Sequence, residues 1–585
     1  MRFLILASFL VIGFAGCADT DPAPTDPSPA IADPVPFLDY TPIEPDLDLP
    51  LLMEDLFAEG STGNTLHARI TRPDTDEPVP VIVQHTPYTA PGCNTAFYNG
   101  PAEPPVGGCS EGTFEHQFAR RGYAYVHADL RGTGDSDDCL DLRGPTDIAD
   151  IGALADALAA QPWSNGNVGF IGASYPGSTS HMAALSGSAA VKAVVPIVAS
   201  TSFYHYHHND GVPYFANHLA TNAGYTQQGV TPTFNPLSAI QKLADQPLCP
   251  HVENAVLHGA ADQSGSYYEW WQDRNLRPLA GTVQVPVLMA QGLADWNVKP
   301  DHIAHWYNDL PGADAGAPKT LIAGQWGHAY PQEAEDAYGP WWPYVTAFFD
   351  TYLKEIDTGM FQTDVAWVQA NDGSWHRSSD WPLTAAQRDA VAFHIHPDGR
   401  LAAEPAQGDA TASWYGCSDT ALLGQNVEAP AAVMCAIDEP TEELVFETAP
   451  FAADTLLSGV GFVNLTLRSE VDFTHLIAVI DHLDGSGNVV VGKENYGYLN
   501  PTYRHGIDAP EAVPVGETYR VSIDLYPQED LIQEGHKLRL TLRSNDSGAI
   551  ASYASGWNHL IWEDGAENTL WLPTRPADLQ GTRLG

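Results

Sequence analysis

Basic residues are scarce in this chain. Only 26 of its 585 residues are lysine or arginine, whereas 73 are aspartate or glutamate, which gives a formal net charge of −47 at pH 7. A field of that sign repels nucleic acids and anionic membrane surfaces. The composition therefore argues against nucleic acid as a partner, and a strongly solvated acidic surface is its simplest interpretation.

Long apolar runs are also lacking. The run at the N-terminus, Phe3 to Phe14, has 12 residues, which is too short to span a bilayer and is typical of a signal-peptide core. It is followed by "AGC", and the whole resembles a bacterial lipobox, in which the cysteine is acylated. We therefore expect a signal peptide over residues 1–16, lipidation at Cys17 and a Pro-rich tether over 17–45. The expected location is the cell envelope, or the periplasm or exterior if Cys17 is not acylated.

Cysteine is rare, and no C-x-x-C spacing of a zinc or redox site occurs. Six cysteines remain once Cys17 is set aside, and an even number in an exported chain suggests disulfides. The expected pairs are two local ones and one that follows by elimination: Cys93–Cys109, Cys417–Cys435 and Cys139–Cys249. No metal ligands are evident, and we expect no cofactor.

Residues 79 to 328 alternate short apolar runs with helix-like segments, which indicates an α/β fold with a parallel sheet. Six runs are the expected strands: 79–85, 123–130, 168–174, 191–199, 285–292 and 319–325. A helix is expected over 147–161, where apolar residues recur at helical spacing. The stretch 203–280 is rich in aromatics and histidine without strand periodicity, so we interpret it as a helical cap over the carboxyl edge of the sheet.

From residue 358 onward apolar and polar residues alternate, with turn residues between the runs, which is typical of an antiparallel β-sandwich. The chain is too long for one compact domain. We therefore predict a catalytic α/β domain over 46–357 and a β-sandwich over 358–585.

The segment "VGFIGASYPGSTSHMAAL" (168–185) predicts a strand, a tight turn at Ser174 and a helix. That arrangement raises a serine hydroxyl at the carboxyl edge of a sheet, as in the G-x-S-x-G elbow of serine hydrolases. Here Pro176 occupies the usual glycine position and Gly177 follows it, although proline is tolerated in a first helical turn. Ser174 is thus a candidate nucleophile, and a serine in a tight loop is the alternative.

A nucleophilic serine needs a base, and the base needs a carboxylate that orients it. In α/β-hydrolases the order along the chain is serine, acid, histidine, each after a strand. Asp295 follows the run 285–292 and His328 follows 319–325, so the order fits. For the oxyanion, the N–H of Tyr175 and the hydroxyl of Tyr88 are candidate donors; for Tyr88, packing beneath the cap is the alternative.

Three segments resemble the Xaa-Pro dipeptidyl-peptidase and cocaine-esterase group of serine hydrolases: "QHTPY", which carries Tyr88, "DLRGTGDSDD" (129–138), and "QPWSNGNVGFIGASYPG", which carries Ser174 and Tyr175. The group's own pattern places a tyrosine and one further residue before the glycine, as in this chain. The resemblance implies an α/β-hydrolase fold with a helical cap insertion and a C-terminal all-β jelly-roll. It also implies Ser174 as nucleophile, Asp295 as acid, His328 as base, and Tyr88 with the Tyr175 N–H as oxyanion donors.

The segments "GLADWNVKP" and "PIVASTSFYHYHHNDG" are most similar to the dipeptidyl-peptidases. Two features depart from them: only a tether precedes residue 50, and Ser178 stands where those enzymes often have threonine. We expect an Xaa-Pro dipeptidyl-peptidase acting through an acyl-enzyme. The alternatives are a carboxylic-ester or acyl-amide hydrolase and, in another class, a surface lipoprotein binding module.

A dipeptidyl-peptidase must hold a free α-ammonium and a proline ring. By location, the candidates in the cap are Asp210 and Glu269 for the ammonium and Trp270 and Trp271 for the ring; surface exposure of the acids and core packing of the tryptophans are the alternatives. The expected partner is a small peptide or ester, with membrane contact only through the lipid. A homo-oligomer is compatible with the sequence.

Overall fold

The structure is a computed structural model that describes residues 40–88, 114–214, 249, 264–331, 341–379, 381–382, 390–416, 442–490, 495–546, 556–563 and 565–575. The expected signal peptide, the lipidation site and the pairs Cys93–Cys109 and Cys417–Cys435 lie outside these residues. So do most of the tether and most of the cap insertion. Among the described residues, no helix is both long enough and apolar enough to span a membrane.

A ten-stranded sheet forms the first part of the molecule, in the order β1-β2-β4-β3-β5-β6-β9-β10-β11-β12. Its central strands, from β4 to β11, run parallel, and β1, β2 and β12 are antiparallel to their neighbours. The strands are β1 Leu51–Glu59, β2 Thr65–Pro73, β3 Val79–Thr86, β4 Ala124–Asp129, β5 Ser164–Ala173, β6 Val191–Ile197, β9 Val287–Gly292, β10 Lys319–Gly324, β11 Val365–Gln369 and β12 Trp375–Ser378. The six expected strands are thus confirmed as β3, β4, β5, β6, β9 and β10.

Helices cover both faces of this sheet. The helices of this first part and of the insertion between β6 and β9 are α1 Phe114–Ala119, α2 Pro145–Ala159, α3 Tyr175–Leu185, α4 Phe203–His207, α5 Glu269–Gln272, α6 Asp301–Ala304 and α7 Trp341–Leu353, with short 3₁₀ turns at Arg277–Thr282, Tyr307–Asp309 and Ala313–Ala315. A further 3₁₀ turn, Pro501–Tyr503, lies in the second part of the chain. Successive strand residues point to opposite faces, so Val81 and Val83 enter one core, with residues of α2, and Ile82 enters the other, with residues of α7. The expected helix over 147–161 is confirmed as α2.

The insertion between β6 and β9 begins with α4 and a small hairpin of β7 His208–Asn209 and β8 Val212–Pro213. Asp210 and Gly211 form its turn, both at positive φ (41° and 81°), as a two-residue hairpin turn of this type requires. A disulfide joins Cys139, in the loop after β4, to Cys249 of the insertion. The pairing expected by elimination is therefore confirmed.

The boundary expected at 357/358 differs from the sheet boundary in the structure. β11 pairs with β10, and β12 pairs with β11, so the first sheet continues to Ser378. β11 is a short apolar run with mostly buried side chains, and β12 is the edge strand. A single sequence does not show which sheet such short strands join.

The second part, from residue 390 to 575, consists of strands and is called the all-β domain below. Its strands are β13 Ala390–Ile395, β14 Arg400–Ala402, β15 Ala410–Gly416, β16 Glu443–Thr448, β17 Thr455–Gly459, β18 Phe462–Ser469, β19 Leu476–Leu483, β20 Asn495–Leu499, β21 Thr518–Asp524, β22 Gln528–Ile532, β23 Lys537–Arg543, β24 Gly556–Trp562 and β25 Thr569–Pro573. They enclose one apolar core. β17 and β22 form a separate antiparallel pair. An all-β C-terminal domain is confirmed, and its assignment as a jelly-roll stays a prediction.

Candidate active site

Ser174 occupies a strained turn between β5 and α3. Its φ of 62° and ψ of −122° lie outside the regions that non-glycine residues prefer, and such strain is typical of functional turns. The backbone is held there by a hydrogen bond from the Ser174 N–H to the Ile197 carbonyl of β6 (3.0 Å). Ser174 therefore stands at the carboxyl edge of the sheet, beside the N-terminus of α3.

The displaced glycine has a steric reason. A Cβ on Gly177 would lie 2.6 Å from the Ile197 carbonyl oxygen and 2.8 Å from the Ala199 Cβ. A Cβ on Gly172 would lie 2.3 Å from the Pro176 Cβ. Because α3 packs this closely against β6 and β5, both positions require glycine, whereas Pro176 occupies the first helical turn without a lost hydrogen bond.

The loops after β9 and β10 meet and bring two expected residues together. The His328 Nδ1 and the Asp295 Oδ2 are 2.8 Å apart, and the Asp295 side chain is fully buried. The loops are joined by backbone hydrogen bonds from Leu293 N–H to Gly324 O and from Ala294 N–H to Trp326 O.

A glycine permits that contact. A Cβ on Gly292 would lie 2.2 Å from the Trp326 carbonyl oxygen. No described residue hydrogen-bonds to the buried Nε2 of His328, so this atom is available as a proton acceptor.

The second carboxylate oxygen of Asp295 is fixed by its own loop. Oδ1 accepts hydrogen bonds from the N–H groups of Asn297 (2.8 Å) and Val298 (2.9 Å). Gln291, at the end of β9, donates from Nε2 to the Val298 carbonyl (2.9 Å) and lies 3.4 Å from Asp295 Oδ2. These partners keep the carboxylate oriented. Gln291 is not among the residues expected from the sequence, where its only signal is a polar residue at the end of an apolar strand.

Tyr175 follows Ser174 directly, and Tyr88 packs against the apolar cluster that contains Tyr175. Tyr175 begins α3, where the first N–H groups of a helix have no partner within the helix. Tyr88 follows β3 in the chain. The roles of Tyr88 and the Tyr175 N–H as oxyanion donors stay predictions.

Arg143 supports this region and was not foreseen. Its guanidinium lies 4.3 Å from the ring centroid of Tyr175 and 5.0 Å from the rings of Phe203 and Tyr206. Stacking of a buried guanidinium on aromatic faces is favourable. Arg143 thus links the elbow to α4 of the cap. Its partners are distant in sequence, so a single sequence carries no signal for the contact.

The four cap candidates differ in their surroundings. Trp271 is fully buried among the rings of the cap, including Phe203 and Trp270, whereas Trp270 is half-buried. Glu269 is exposed and Asp210 is half-buried. Burial, with Asp524 and Asp301 nearby, raises the pKa of Asp210 to about 7. Trp271 therefore packs as core, and the substrate roles of all four residues stay predictions.

The segment 129–138 forms a buried polar network beneath the site. Asp129 is 2.8 Å from His67 Nδ1, and Arg131 pairs with Asp150 of α2 at 2.8 Å. A Cβ on Gly134, whose φ is 52°, would collide with the Asp129 carboxylate. These contacts fix the loop after β4 against β2 and α2. Within the described residues, no three His, Cys, Asp or Glu side chains converge as a metal site.

Two family models match the chain. One, described as X-Pro dipeptidyl-peptidase (S15 family), covers residues 62–330, and the other, described as the X-Pro dipeptidyl-peptidase C-terminal non-catalytic domain, covers 360–555. The chain belongs to the Xaa-Pro dipeptidyl-peptidase and cocaine-esterase family. It is a serine hydrolase. The second match begins near the boundary expected from the sequence, although β11 and β12 complete the first sheet.

Relatives and solved structures agree with this assignment. A Bacillus anthracis protein provisionally named Xaa-Pro dipeptidyl-peptidase is 24% identical over 85% of this chain and 83% of its own length. The cocaine esterase of a Rhodococcus species is 24% identical over 83% of this chain and 89% of its own. A crystal structure of a CocE/NonD family hydrolase from Staphylococcus aureus has the same fold, with a TM-score of 0.72 at 18% identity, covering 90% of this chain and 94% of the other.

The packing at Gly177 leads to a first prediction. Gly177→Ala should lower the free energy of unfolding by about 1–3 kcal/mol, the usual cost of overpacking, and should lower activity because the elbow must shift. Gly281→Ala is the control, since its added Cβ would lie no closer than 3.8 Å to Asp309 O. Calorimetric unfolding checks both variants. Equal stability of the two would contradict the steric reason given for Gly177.

Proposed function

We propose that this hydrolase removes Xaa-Pro dipeptides from peptide N-termini through an acyl-enzyme on Ser174. The observation that carries the proposal is the Asp295–His328 contact of 2.8 Å, made by the loops of two strands at the edge where Ser174 sits on its strained turn. The order serine, acid, histidine along the sheet supports these three roles.

In the proposed mechanism His328 Nε2 accepts the Ser174 hydroxyl proton as Oγ attacks the scissile carbonyl carbon. Asp295 keeps the Nδ1 proton of His328 in place and stabilises the imidazolium that forms. Collapse of the tetrahedral intermediate breaks the C–N bond, and His328 returns the proton to the leaving amine. Water then attacks the acyl-enzyme with the same base, releasing the dipeptide and restoring Ser174.

The oxyanion of each tetrahedral intermediate would accept hydrogen bonds from the Tyr175 N–H and the Tyr88 hydroxyl. Arg143 supports this assignment because its guanidinium packs on the Tyr175 ring. A well-fixed donor needs no reorganisation as the charge forms, which is the source of its catalytic effect.

An ester or acyl-amide hydrolase is the second candidate function. The same nucleophile, base and oxyanion donors cleave esters, and one relative is a cocaine esterase. The two candidates differ in the need for an ammonium site, for which Asp210 and Glu269 are proposed, with Trp270 and Trp271 beside the proline. A non-catalytic binding module is the less favoured interpretation, because the acid–histidine contact is formed.

The triad proposal predicts that Ser174→Ala lowers turnover of Gly-Pro-p-nitroanilide by about 10⁴-fold or more, since the acyl-enzyme cannot form. Ser186→Ala, at the other end of α3, is the matched control and should retain most activity. p-Nitrophenyl esters are assayed in parallel. Undiminished turnover by Ser174→Ala would contradict the mechanism. Ester cleavage without dipeptide release would contradict the peptidase function and support the esterase function.

The pKa of Asp210 predicts a pH-dependent KM for peptides. The substrate's ammonium binds the charged carboxylate. The charged fraction of Asp210 rises about tenfold for each pH unit while the pH is below its pKa of about 7. KM for Gly-Pro-p-nitroanilide should therefore fall by about 25-fold from pH 5.5 to 7.5, with no matching change for a p-nitrophenyl ester. Asp210→Asn should raise KM and remove the trend.

The variant Glu269→Gln tests, in the same assay, which of the two acids binds the substrate's ammonium. If it raises KM while Asp210→Asn does not, the ammonium site is at Glu269 and the assignment to Asp210 is wrong. Asp524, Asp301 and Arg277 also face Asp210, so ionic strength is held constant across the series.

We also propose that the chain is exported and lipidated at Cys17. The lipobox-like segment supports this, and the Cys139–Cys249 disulfide fits an oxidising compartment. Mass spectrometry of the mature protein should find an N-terminal diacylglyceryl-modified Cys17, and Cys17→Ser should release the protein from the membrane fraction. A mature N-terminus elsewhere would refute the lipid anchor.

A further inference from the structure

One short segment of the all-β domain reaches both loops of the acid–histidine pair. The segment Tyr526–Leu531 follows β21 and includes most of β22. Toward one end, the Tyr526 hydroxyl hydrogen-bonds to the hydroxyl of Tyr214 in the cap. Three residues later, the Glu529 carbonyl accepts a hydrogen bond from Gln325 Nε2 (3.3 Å). Gln325 precedes His328 by three residues.

The contact through Tyr214 continues to the acid loop. The Lys299 ammonium lies 3.6 Å from the centroid of the Tyr214 ring, which is a cation–π geometry. Lys299 is itself four residues after Asp295. From helix α4, which precedes the cap hairpin, the Tyr206 hydroxyl donates to Asn297 Oδ1 (2.8 Å). The cap therefore contacts the turn that contains Asn297 and Val298, whose N–H groups orient the Asp295 carboxylate.

Tyr214 belongs to the cap, and its ring packs against the all-β domain. Its ring is fully buried and meets the Tyr498 ring edge-on at 5.7 Å. Val212 and Tyr214 share an apolar cluster with Ile477 and Val479 of β19. In addition, the Asn500 N–H donates to the Asp210 carbonyl at 2.9 Å. The hairpin is thus held by several independent contacts, and Tyr526 supplies its hydroxyl partner.

The histidine side of the segment is equally fixed. The buried Glu529 carboxylate is within 2.8 Å of His376 Nδ1, 2.9 Å of Trp381 Nε1 and 3.1 Å of Arg575 Nε. Gln325 Nε2 also donates to the Gln369 carbonyl at 2.7 Å. Since Glu529 cannot move without breaking these bonds, its carbonyl is a rigid anchor for the loop that carries His328.

We infer that the segment Tyr526–Leu531 positions the acid–histidine pair, with Tyr526 acting through Tyr214 and Lys299 on the Asp295 loop and Glu529 acting through Gln325 on the His328 loop. These are positioning residues rather than catalytic ones. The inference rests on the proposed roles of Asp295 and His328 and gives the all-β domain a part in the reaction of the neighbouring domain. Small displacements of such a pair reduce rate more than binding.

The test uses the full-length protein with Tyr526→Phe and Gln325→Met, each removing one hydrogen-bonding group. Loss of one net hydrogen bond, as in Tyr526→Phe, corresponds to about a three- to tenfold effect, and Gln325→Met, which also loses the bond to the Gln369 carbonyl, should have at least that effect. We therefore expect kcat to fall three- to tenfold with KM unchanged. The rate of Ser174 phosphonylation by a fluorophosphonate should fall in parallel, because it depends on the same base. Tyr519→Phe is the matched control, since that hydroxyl pairs with Ser469 inside the all-β domain.

The outcomes are separable. If Tyr526→Phe and Tyr519→Phe lower Tm alike while kcat and phosphonylation stay at the wild-type values, the contacts only stabilise the fold and the inference is wrong. If KM alone rises, the segment acts on the substrate site and the inference is also wrong. Activity or phosphonylation that persists in Ser174→Ala would instead reject the proposed function itself.

Discussion

The contact between the Asp295 carboxylate and the His328 imidazole is the interaction around which this molecule is arranged. Both side chains stand on loops, and two loops meet reliably only if the strands that carry them are adjacent. β9 and β10 satisfy that condition, being parallel neighbours paired from Lys319–Val287 to Gly324–Gly292. Gly292 then removes the side chain that would keep the loops apart.

The elbow obeys the same constraint of close backbone approach. A nucleophile at the carboxyl edge needs a sharp turn into a helix, and the helix must lie against the next strand. Gly172 and Gly177 allow that packing, whereas Pro176 only has to fit a first helical turn. Gly177 is therefore required because α3 contacts β6 there, and its exact spacing from Ser174 along the chain matters less.

The parallel strands and the order of the three candidate residues could be predicted because each depends on local pattern: apolar runs, small residues at turns and polar residues just after strands. Cys139–Cys249 could be reached by elimination. The sheet membership of β11 and β12 could not be predicted, because the pairing of a short strand depends on contacts that a single sequence does not show. The supporting roles of Arg143 and Gln325 could not be predicted from the sequence either. Their roles depend on contacts with Tyr175 and Glu529, which are far away in sequence.

The few basic residues of the chain are distributed unevenly between the interior and the surface. Among the described residues eight basic side chains are buried, and so are eight acidic ones. Buried charges of one sign need partners of the other, so the interior is balanced and the acidic excess lies outside it. At physiological salt such a field extends only about 8 Å. It therefore acts on a molecule already at the surface, where it favours cationic groups such as a peptide's free α-ammonium over anionic ones. A neutral ester gains nothing from this field, so the charge distribution favours cationic substrates, whether peptides or amine-bearing esters.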